Sequence, residues 1–274
     1  PCPFGSASSS LAEGTTKMMI KKIHFVIDST KKAKPFKKII YKKYKNYPLL
    51  HADVIVVLGG DGFMLNTLKK YEKYSKPFYG MNSGTFGFLM NKFKSRNIKK
   101  YISKSKLVTI SPLQAKIKIK NKFKIAYAIN DVSLFRQSRQ TASIQIQSGK
   151  RNLIKKLISD GVIISTPAGS TAYNLSVHGP ILSIDSKKIA ITPISPFRPR
   201  RWKGRILPSS ATIKVINLNT KKRPISLVAD NLEFRNINSA IIKINNNIKF
   251  KLLYDKNNSL TKKIKLEQIR KETL

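Results

Sequence analysis

The first group in this sequence that could do chemistry is a carboxylate, Asp61, inside a glycine-rich turn. The turn reads GGDG at 59–62 and follows the apolar run DVIVVL at 53–58. Glycines let the backbone approach a ligand closely, and a helix that begins here would offer free N–H groups to a phosphate. The positive end of that helix would keep Asp61 ionised, which suits a proton acceptor toward a hydroxyl.

The turn alone does not name a reaction. A capping aspartate in a tight strand-to-helix loop explains the same residues. Neither GxxxxGK[ST] nor GxGxxG is present, so the turn indicates a nucleotide without identifying the chemistry.

A second glycine loop and a polar pair extend this pattern. The loop GMNSGTFGF at 80–88 leaves the next predicted strand, and two such loops at the carboxyl ends of neighbouring parallel strands would line one crevice. The pair Asn130-Asp131 interrupts the strand pattern AYAINDVSLFR, where adjacent polar residues are poor strand formers. Their side chains suit ribose hydroxyls or an adenine edge, although a bulge or a turn explains the pair equally well.

The densest group of small and polar residues is the segment DGVIISTPAGSTAYNLSVHGP at 160–180. An apolar strand at 162–164 enters a run of small residues and hydroxyls, and Tyr173 follows. Small residues allow a base or sugar to approach, hydroxyls supply hydrogen bonds, and Tyr173 can stack on a ring. A loop with only a structural role rarely needs all of these properties, so the segment predicts a nucleotide-binding loop.

Three arginines, Arg198, Arg200 and Arg201, stand beside Trp202 in the segment SPFRPRRW. Their guanidinium groups could grip a polyphosphate or pair across a subunit contact. Exposed charges in an irregular segment bounded by prolines usually need no special role. A solvated loop therefore stays open as the alternative.

The chain is strongly basic, with 54 Lys and Arg against 13 Asp and Glu in 274 residues and a net charge of +41. Such a charge is typical of proteins that bind nucleic acid or acidic membranes. However, 43 of the basic residues are Lys and 11 are Arg, and Lys recurs throughout the chain. Because Arg is preferred for recognition of phosphates and bases, a coding bias toward AT-rich codons explains the composition better than a nucleic-acid partner.

Cysteine content and hydropathy exclude further classes of protein. The single Cys2 cannot form an internal disulfide, which excludes a disulfide scaffold and a cysteine-rich metal site. No run of 18 apolar residues occurs, which excludes a spanning helix. We expect a reducing, cytoplasmic location without a membrane partner. Residues 1–17 are rich in Ser, Gly and Thr without an apolar period, so they are expected to be a disordered tail or an expression remnant. They lack the arginines of a transit peptide.

The elements that must position these groups are predicted to form two domains. Within 18–107, apolar runs alternate with helical stretches, which predicts a parallel α/β unit. Within 108–255 the apolar period changes to 2, for example from Ile241 to Leu252 on either side of an asparagine turn. This spacing predicts a mostly β domain. Residues 256–274 are charged and compatible with a helix.

Together these segments resemble the NAD kinase family. The resemblance is carried by GGDG at 59–62, GMNSGTFGFL at 80–89, Asn130-Asp131 and the long, highly specific segment at 160–180. It covers about residues 20–255, whereas GGDG alone also occurs in diacylglycerol-kinase-like and phosphofructokinase-like proteins. The resemblance implies a Rossmann-like N-terminal α/β domain, a C-terminal mostly β domain of β-sandwich type, and a last segment that returns to the first domain.

The resemblance also implies an activity and its site. The activity is transfer of the γ-phosphoryl group of ATP to the 2′-hydroxyl of the adenosine ribose of NAD, with a divalent metal, usually Mg²⁺, in a homodimer or homotetramer. Asp61 would be the base near that hydroxyl, and Gly62 would support the approach of substrate. The remaining residues that would bind the dinucleotide, partly across a subunit contact, are Gly60, Asn130, Asp131, Asp160, Ala168, Thr171, Ala172, Tyr173, Asn174, Leu175 and Ser176.

The chain departs from the usual family pattern without losing a proposed catalytic group. The departures are Asp131 where Glu is commoner, Phe63 where Thr follows GGDG, Ala168 where Thr or Ser is frequent, and Asn231 where Gly usually follows Asp230. Two other functions stay open: a lipid or sugar kinase that shares GGDG, and a basic nucleic-acid-associated protein on a nucleotide-binding scaffold. The segment at 160–180 argues against the first of these.

Overall fold

The first part of the chain alternates strands and helices, as the apolar runs predict. The structure is a computed structural model that describes residues 19–83 and 87–255. Short 3-10 turns at Leu49–His51 and Glu72–Tyr74 connect some of the elements. In chain order, the strands and helices of this part are β1 (Ile23–Ile27), α1 (Lys34–Lys43), β2 (Val54–Gly59), α2 (Asp61–Tyr71), β3 (Pro77–Asn82), α3 (Ile98–Lys104) and β4 (Lys106–Ile110).

Strand β2 is the centre of this α/β region. It pairs in parallel with both β1 and β3, and every one of its residues is buried. A β-branched run covered on both faces is the usual sequence of such a strand. Helix α2 begins directly after it and packs Met64 and Leu68 against Ile55 and Val57. Burial of each of these two side chains contributes about 1.5–3 kcal/mol, so the position of Asp61 at the helix start is firmly fixed.

The second part of the chain forms a sandwich of antiparallel strands. Its elements in chain order are β5 (Leu113–Ile119), β6 (Lys122–Ala128), β7 (Asp131–Arg136), β8 (Ala142–Ser148), β9 (Arg151–Ser159), β10 (Gly161–Ser165), α4 (Tyr173–Ser176), β11 (Lys188–Ile194), β12 (Arg205–Pro208), β13 (Ile213–Asn217), β14 (Ile225–Ala229), β15 (Leu232–Phe234) and β16 (Ser239–Ile244). One six-stranded sheet has the order β6-β5-β16-β13-β8-β9 and the other β12-β11-β10-β7-β14-β15. Their inward-facing apolar residues form one continuous core, so the expected β-sandwich is confirmed.

The chain returns to the first sheet through strand β17 (Phe250–Tyr254). This strand lies between β3 and β4, parallel to β3 and antiparallel to β4. The return to the first sheet therefore comes earlier than the segment 256–274 for which it was predicted. The period of 2 in the sequence identifies β17 as a strand but not the sheet that it joins. The predicted returning segment at 256–274 and the predicted tail at 1–17 lie outside the described residues.

The helices that the structure describes include none that combines the length and the apolar character needed to span a bilayer.

Candidate active site

A cavity of about 450 Å³ opens between helix α2 and the β-sandwich. Its size is typical of a small-molecule site. Its wall contains five of the candidate site residues predicted from the sequence: Gly62, Asn130, Asp131, Ala172 and Tyr173. The remaining wall residues are Leu65 and Asn66 of α2, Ser133 and Phe135 of β7, Val228 of β14, and Asp230 and Asn231 of the following turn.

Asp61 joins the two glycine loops at the edge of this cavity. It is the first residue of α2, and its carboxylate accepts the backbone N–H of Phe88 at 2.7 Å and that of Leu89 at 3.1 Å. The two loops therefore meet at the carboxyl ends of β2 and β3, as the sequence predicts. Each of the two carboxylate oxygens accepts one of these amides. Asp61 adjoins the wall residue Gly62 but is not itself in the cavity wall.

The glycines of the turn differ in the space that a Cβ atom would find at each position. A Cβ at Gly59 would lie 2.7 Å from the ring of Phe63, so Phe63 packs on the turn where the family more often has Thr. A Cβ at Gly60 or Gly62 would meet no atom within 4 Å. Packing therefore does not explain these two glycines, whereas close approach of a ligand would.

Asn130 and Asp131 lie at the start of β7, in the cavity wall. The Oδ1 atom of Asn130 is buried and has no hydrogen-bond partner among the described residues. A buried acceptor left unpaired costs about 1–3 kcal/mol, so a ligand that donates to it would recover this energy. Burial, and secondarily the charge of Asp230, raises the pKa of Asp131 to about 7. Asp131 can therefore exchange a proton near neutral pH.

Tyr173 presents an aromatic face at the cavity. It stacks on Phe135 with ring centroids 5.8 Å apart and an interplanar angle of 29°, and 40% of it is exposed. Ala172 precedes it in the wall. A base or a nicotinamide ring could extend this stack.

Other residues of the segment at 160–180 hold the loop rather than face the cavity. Asn174 is fully buried; its Oδ1 accepts from Thr192 at 2.7 Å, and its Nδ2 donates to the carbonyls of Ser170 and Pro180. Ala168 is buried in the apolar cluster of the first domain with Ile129. Of the other nominated residues in this segment, Thr171 is buried, Leu175 is half-buried and Ser176 is exposed, all three outside the cavity wall.

Asp160 lies at the other end of β10 from Asp131. Ser165 at the end of this strand pairs with Asp131, and the intervening strand length is roughly 16 Å. The Asp160 carboxylate is paired with Arg136. One chain therefore does not bring Asp160 together with Asn130 and Asp131.

The arginine cluster also lies away from the cavity wall. Arg198, Arg200 and Arg201 are exposed, and the guanidinium groups of the first two stand 5.5 and 5.3 Å from the ring of Phe197. Such contacts contribute about 0.5–1 kcal/mol at exposed sites. Two of the three arginines therefore have an aromatic partner within the chain, and these contacts do not indicate a ligand.

Sequence reasoning missed the wall residues that come from regular elements. Ser133 and Phe135 alternate with the core residues Val132 and Leu134 along β7, and Leu65 and Asn66 follow Gly62 by a helical turn. The period-2 spacing of 131, 133 and 135 on one strand face was the available signal. Within 19–83 and 87–255, no three His, Cys, Asp or Glu side chains form a group that could hold a metal ion.

Comparisons with known proteins agree with this architecture. The model of the ATP-NAD kinase N-terminal domain matches residues 10–105, and that of the C-terminal domain matches residues 129–246. The NAD kinase of Brucella suis is 43% identical over 249 residues, which cover 90% of this chain and 97% of that protein. The NAD kinase of Zymomonas mobilis is 43% identical over 256 residues, covering 92% and 99%.

Two solved structures share the fold at 20% identity. Yeast NADH kinase complexed with NADH superposes with a TM-score of 0.77, covering 94% of this chain and 90% of that chain. The NAD kinase from Archaeoglobus fulgidus in complex with ATP gives a TM-score of 0.71, covering 91% and 100%. Matches to both domain models and 43% identity over nine-tenths of the sequence lead to one conclusion: the chain belongs to the NAD kinase family.

Proposed function

We propose that the cavity binds NAD and ATP and transfers the γ-phosphoryl group of ATP to the 2′-hydroxyl of the adenosine ribose, which gives NADP. The observation that supports placing this reaction in the cavity is the presence of Asn130 and Asp131 in its wall. One offers a buried acceptor without a protein partner among the described residues, and the other a carboxyl group with a pKa of about 7. Ribose hydroxyls and an amino group of a base are the donors that such a pair can bind.

Asp61 is the proposed catalytic base. The ribose oxygen forms a new bond to the γ-phosphorus while the bond from that phosphorus to the ADP oxygen breaks, and Asp61 accepts the hydroxyl proton. Phosphoryl transfer depends mainly on positioning and on charge stabilisation. The amides of Phe88 and Leu89 fix the carboxylate, and the start of α2 places free N–H groups beside Gly60 and Gly62 for a phosphate.

The rest of the dinucleotide is proposed to lie along the nucleotide-binding loop. Tyr173 would stack on a ring, Ala172 would admit it, and Asn174, Thr171 and Ala168 would hold the loop. Leu175 and Ser176 would complete the cradle. Asp160 is proposed to act in the site of a second copy within a homodimer or homotetramer, since it lies far from Asp131 in its own chain.

The divalent metal is proposed to enter as part of the MgATP substrate. Mg²⁺ in phosphoryl-transfer enzymes is usually bound by one or two carboxylates together with substrate phosphates. We further propose a cytoplasmic enzyme, because its substrates are nucleotides and its composition favours a reducing compartment.

One assay tests the proposed function. Purified protein incubated with NAD, ATP and Mg²⁺ is expected to produce NADP, detected with an NADP-specific dehydrogenase. Protein that binds NAD but forms no NADP with ATP or with polyphosphate would contradict the kinase assignment. Tight RNA or DNA binding that weakens steeply with salt, without bound dinucleotide, would instead favour the nucleic-acid alternative.

The variant Gly62→Ala tests the role of Gly62 in substrate binding separately from any effect on folding. Gly62→Ala meets no atom within 4 Å and lies in the first turn of α2, so we expect its unfolding free energy to be unchanged or raised by up to about 1 kcal/mol. We also expect the KM of a nucleotide substrate to rise about tenfold, because the methyl group would enter the cavity. Denaturant unfolding and initial rates measure the two effects. A variant with unaltered KM for both NAD and ATP would remove Gly62 from the site.

A further inference from the structure

We propose that Asp230 is a positioning residue that presents Asn130 and Asp131 to the dinucleotide, with Lys69 as its charge partner. The inference rests on the proposed function, because it assigns to Asn130 and Asp131 the binding of NAD. Asp230 follows β14 in the sandwich, whereas Lys69 belongs to helix α2 of the first domain. The pair therefore spans the two parts of the chain that enclose the cavity.

The carboxylate of Asp230 gathers three consecutive backbone amides. It accepts the N–H of Ile129 at 2.8 Å, that of Asn130 at 2.9 Å and that of Asp131 at 3.4 Å. Its side chain is only 5% exposed. Hydrogen bonds from backbone amides to a buried carboxylate are charge-assisted and about twice as strong as neutral ones. The direction in which the Asn130 and Asp131 side chains leave the backbone therefore depends on Asp230.

The turn that carries Asp230 is held in return. Asp230 has a φ of +53°, a left-handed conformation that Asn, Asp and Gly tolerate best. Its own N–H donates to the carbonyl of Asp131 at 3.1 Å. The two segments are thus connected in both directions, and the next residue, Asn231, lines the cavity.

Lys69 balances the charge of this assembly. Its Nζ lies 2.8 Å from Oδ2 of Asp230, although the two groups are not aligned as a hydrogen bond. The Lys69 side chain is about one-quarter exposed, but its Nζ atom is buried, so the charged ends of the pair are shielded from solvent. Without this cation, the buried carboxylate of Asp230 would repel Asp131 more strongly.

The pKa of Asp131 depends on the charges in this arrangement. The described charged group that acts on Asp131 is the carboxylate of Asp230, which is itself paired with Lys69. Burial first, and Asp230 second, raises the pKa of Asp131. Removing the charge of Asp230 should lower this pKa, whereas removing the charge of Lys69 should raise it.

The test compares Asp230→Asn and Lys69→Met with a matched control, Asp53→Asn. Asp53 also accepts two backbone amides, from Lys21 and Lys22, but it precedes β2, at the sheet edge opposite the cavity. We expect Asp230→Asn to raise the KM for NAD about tenfold and to leave the KM for ATP within about twofold, because one amide side chain cannot replace a carboxylate that takes three donors. Asp53→Asn should leave both constants unchanged.

The pH profile of kcat/KM for NAD supplies a readout that a general loss of structure would not move. Its acidic limb should shift to lower pH in Asp230→Asn and to higher pH in Lys69→Met, relative to wild type. Lys69→Met retains the aliphatic part of the side chain, so its pH profile can still be measured if Asp230→Asn does not fold. Equal rises in both KM values, or an acidic limb at one pH in all folded variants, would overturn the positioning role. Wild-type protein that makes no NADP would instead contradict the proposed function.

Discussion

Asp61→Asn is expected to reduce NADP formation by about 10²- to 10⁴-fold in kcat, the range that a positioned acid or base contributes. An amide is nearly the size of the carboxylate but cannot accept the ribose proton. The variant should still fold, because α2 is held to β2 by Met64 and Leu68. Rates at saturating NAD and ATP, measured beside a thermal melt, give the result.

A second consequence of the substitution must be separated from the loss of a base. The Asp61 carboxylate accepts the amides of both Phe88 and Leu89, whereas asparagine offers one acceptor and turns an N–H group toward the other donor. Loosening of this loop would raise the KM for NAD, while loss of the base lowers kcat. Asp53→Asn is the control, since it removes a carboxylate that also accepts two amides at the opposite end of β2. Near-normal kcat in Asp61→Asn would leave Asp61 as a loop residue only.

The parts of the fold that the sequence predicts best are those determined by neighbouring residues. The buried run before GGDG identifies β2, and the glycines predict the turn before α2, because both signals are local. The partner of a strand is not local. The alternation from Ile241 to Leu252 suggests two strands around a turn, and both exist as β16 and β17, yet they belong to different sheets. Only the packed structure decides that β17 fills the position between β3 and β4.

The same limit applies to the site. Asp160 and Tyr173 belong to one continuous segment, 160–180, but a strand of five residues separates Asp160 from the loop that leads to Tyr173. Asn174 has a polar side chain that could bind a ligand, and in the structure it binds Thr192 and two backbone carbonyls, contacts that the sequence does not reveal. The pairing of Lys69 with Asp230 joins positions far apart in the chain, and nothing in the spacing of a lone lysine and a turn aspartate predicts it.

Gly169→Ala is expected to destabilise the fold strongly. A Cβ at Gly169 would lie 2.1 Å from the carbonyl oxygen of Asn130 and 2.4 Å from its carbonyl carbon. These are backbone atoms, so no side chain can rotate away. The Asn130 backbone is also held, since Thr166 N–H donates to its oxygen at 2.9 Å and Asp230 accepts its N–H. We expect a loss of about 3 kcal/mol of unfolding free energy, at the upper end for overpacking.

The same clash should reach the cavity, because relief requires Asn130 to move away from the loop. We therefore expect the NAD affinity of folded Gly169→Ala to fall at least about tenfold, which corresponds to about 1.4 kcal/mol. Gly60→Ala is the stability control: it has an extended φ of −103° and open space for a Cβ, so its unfolding free energy should stay within about 0.5 kcal/mol of wild type. Denaturant titration and calorimetric NAD binding measure both quantities. If Gly169→Ala matched Gly60→Ala in stability and wild type in NAD affinity, close contact between the loop and Asn130 would not be what sets the geometry of the site.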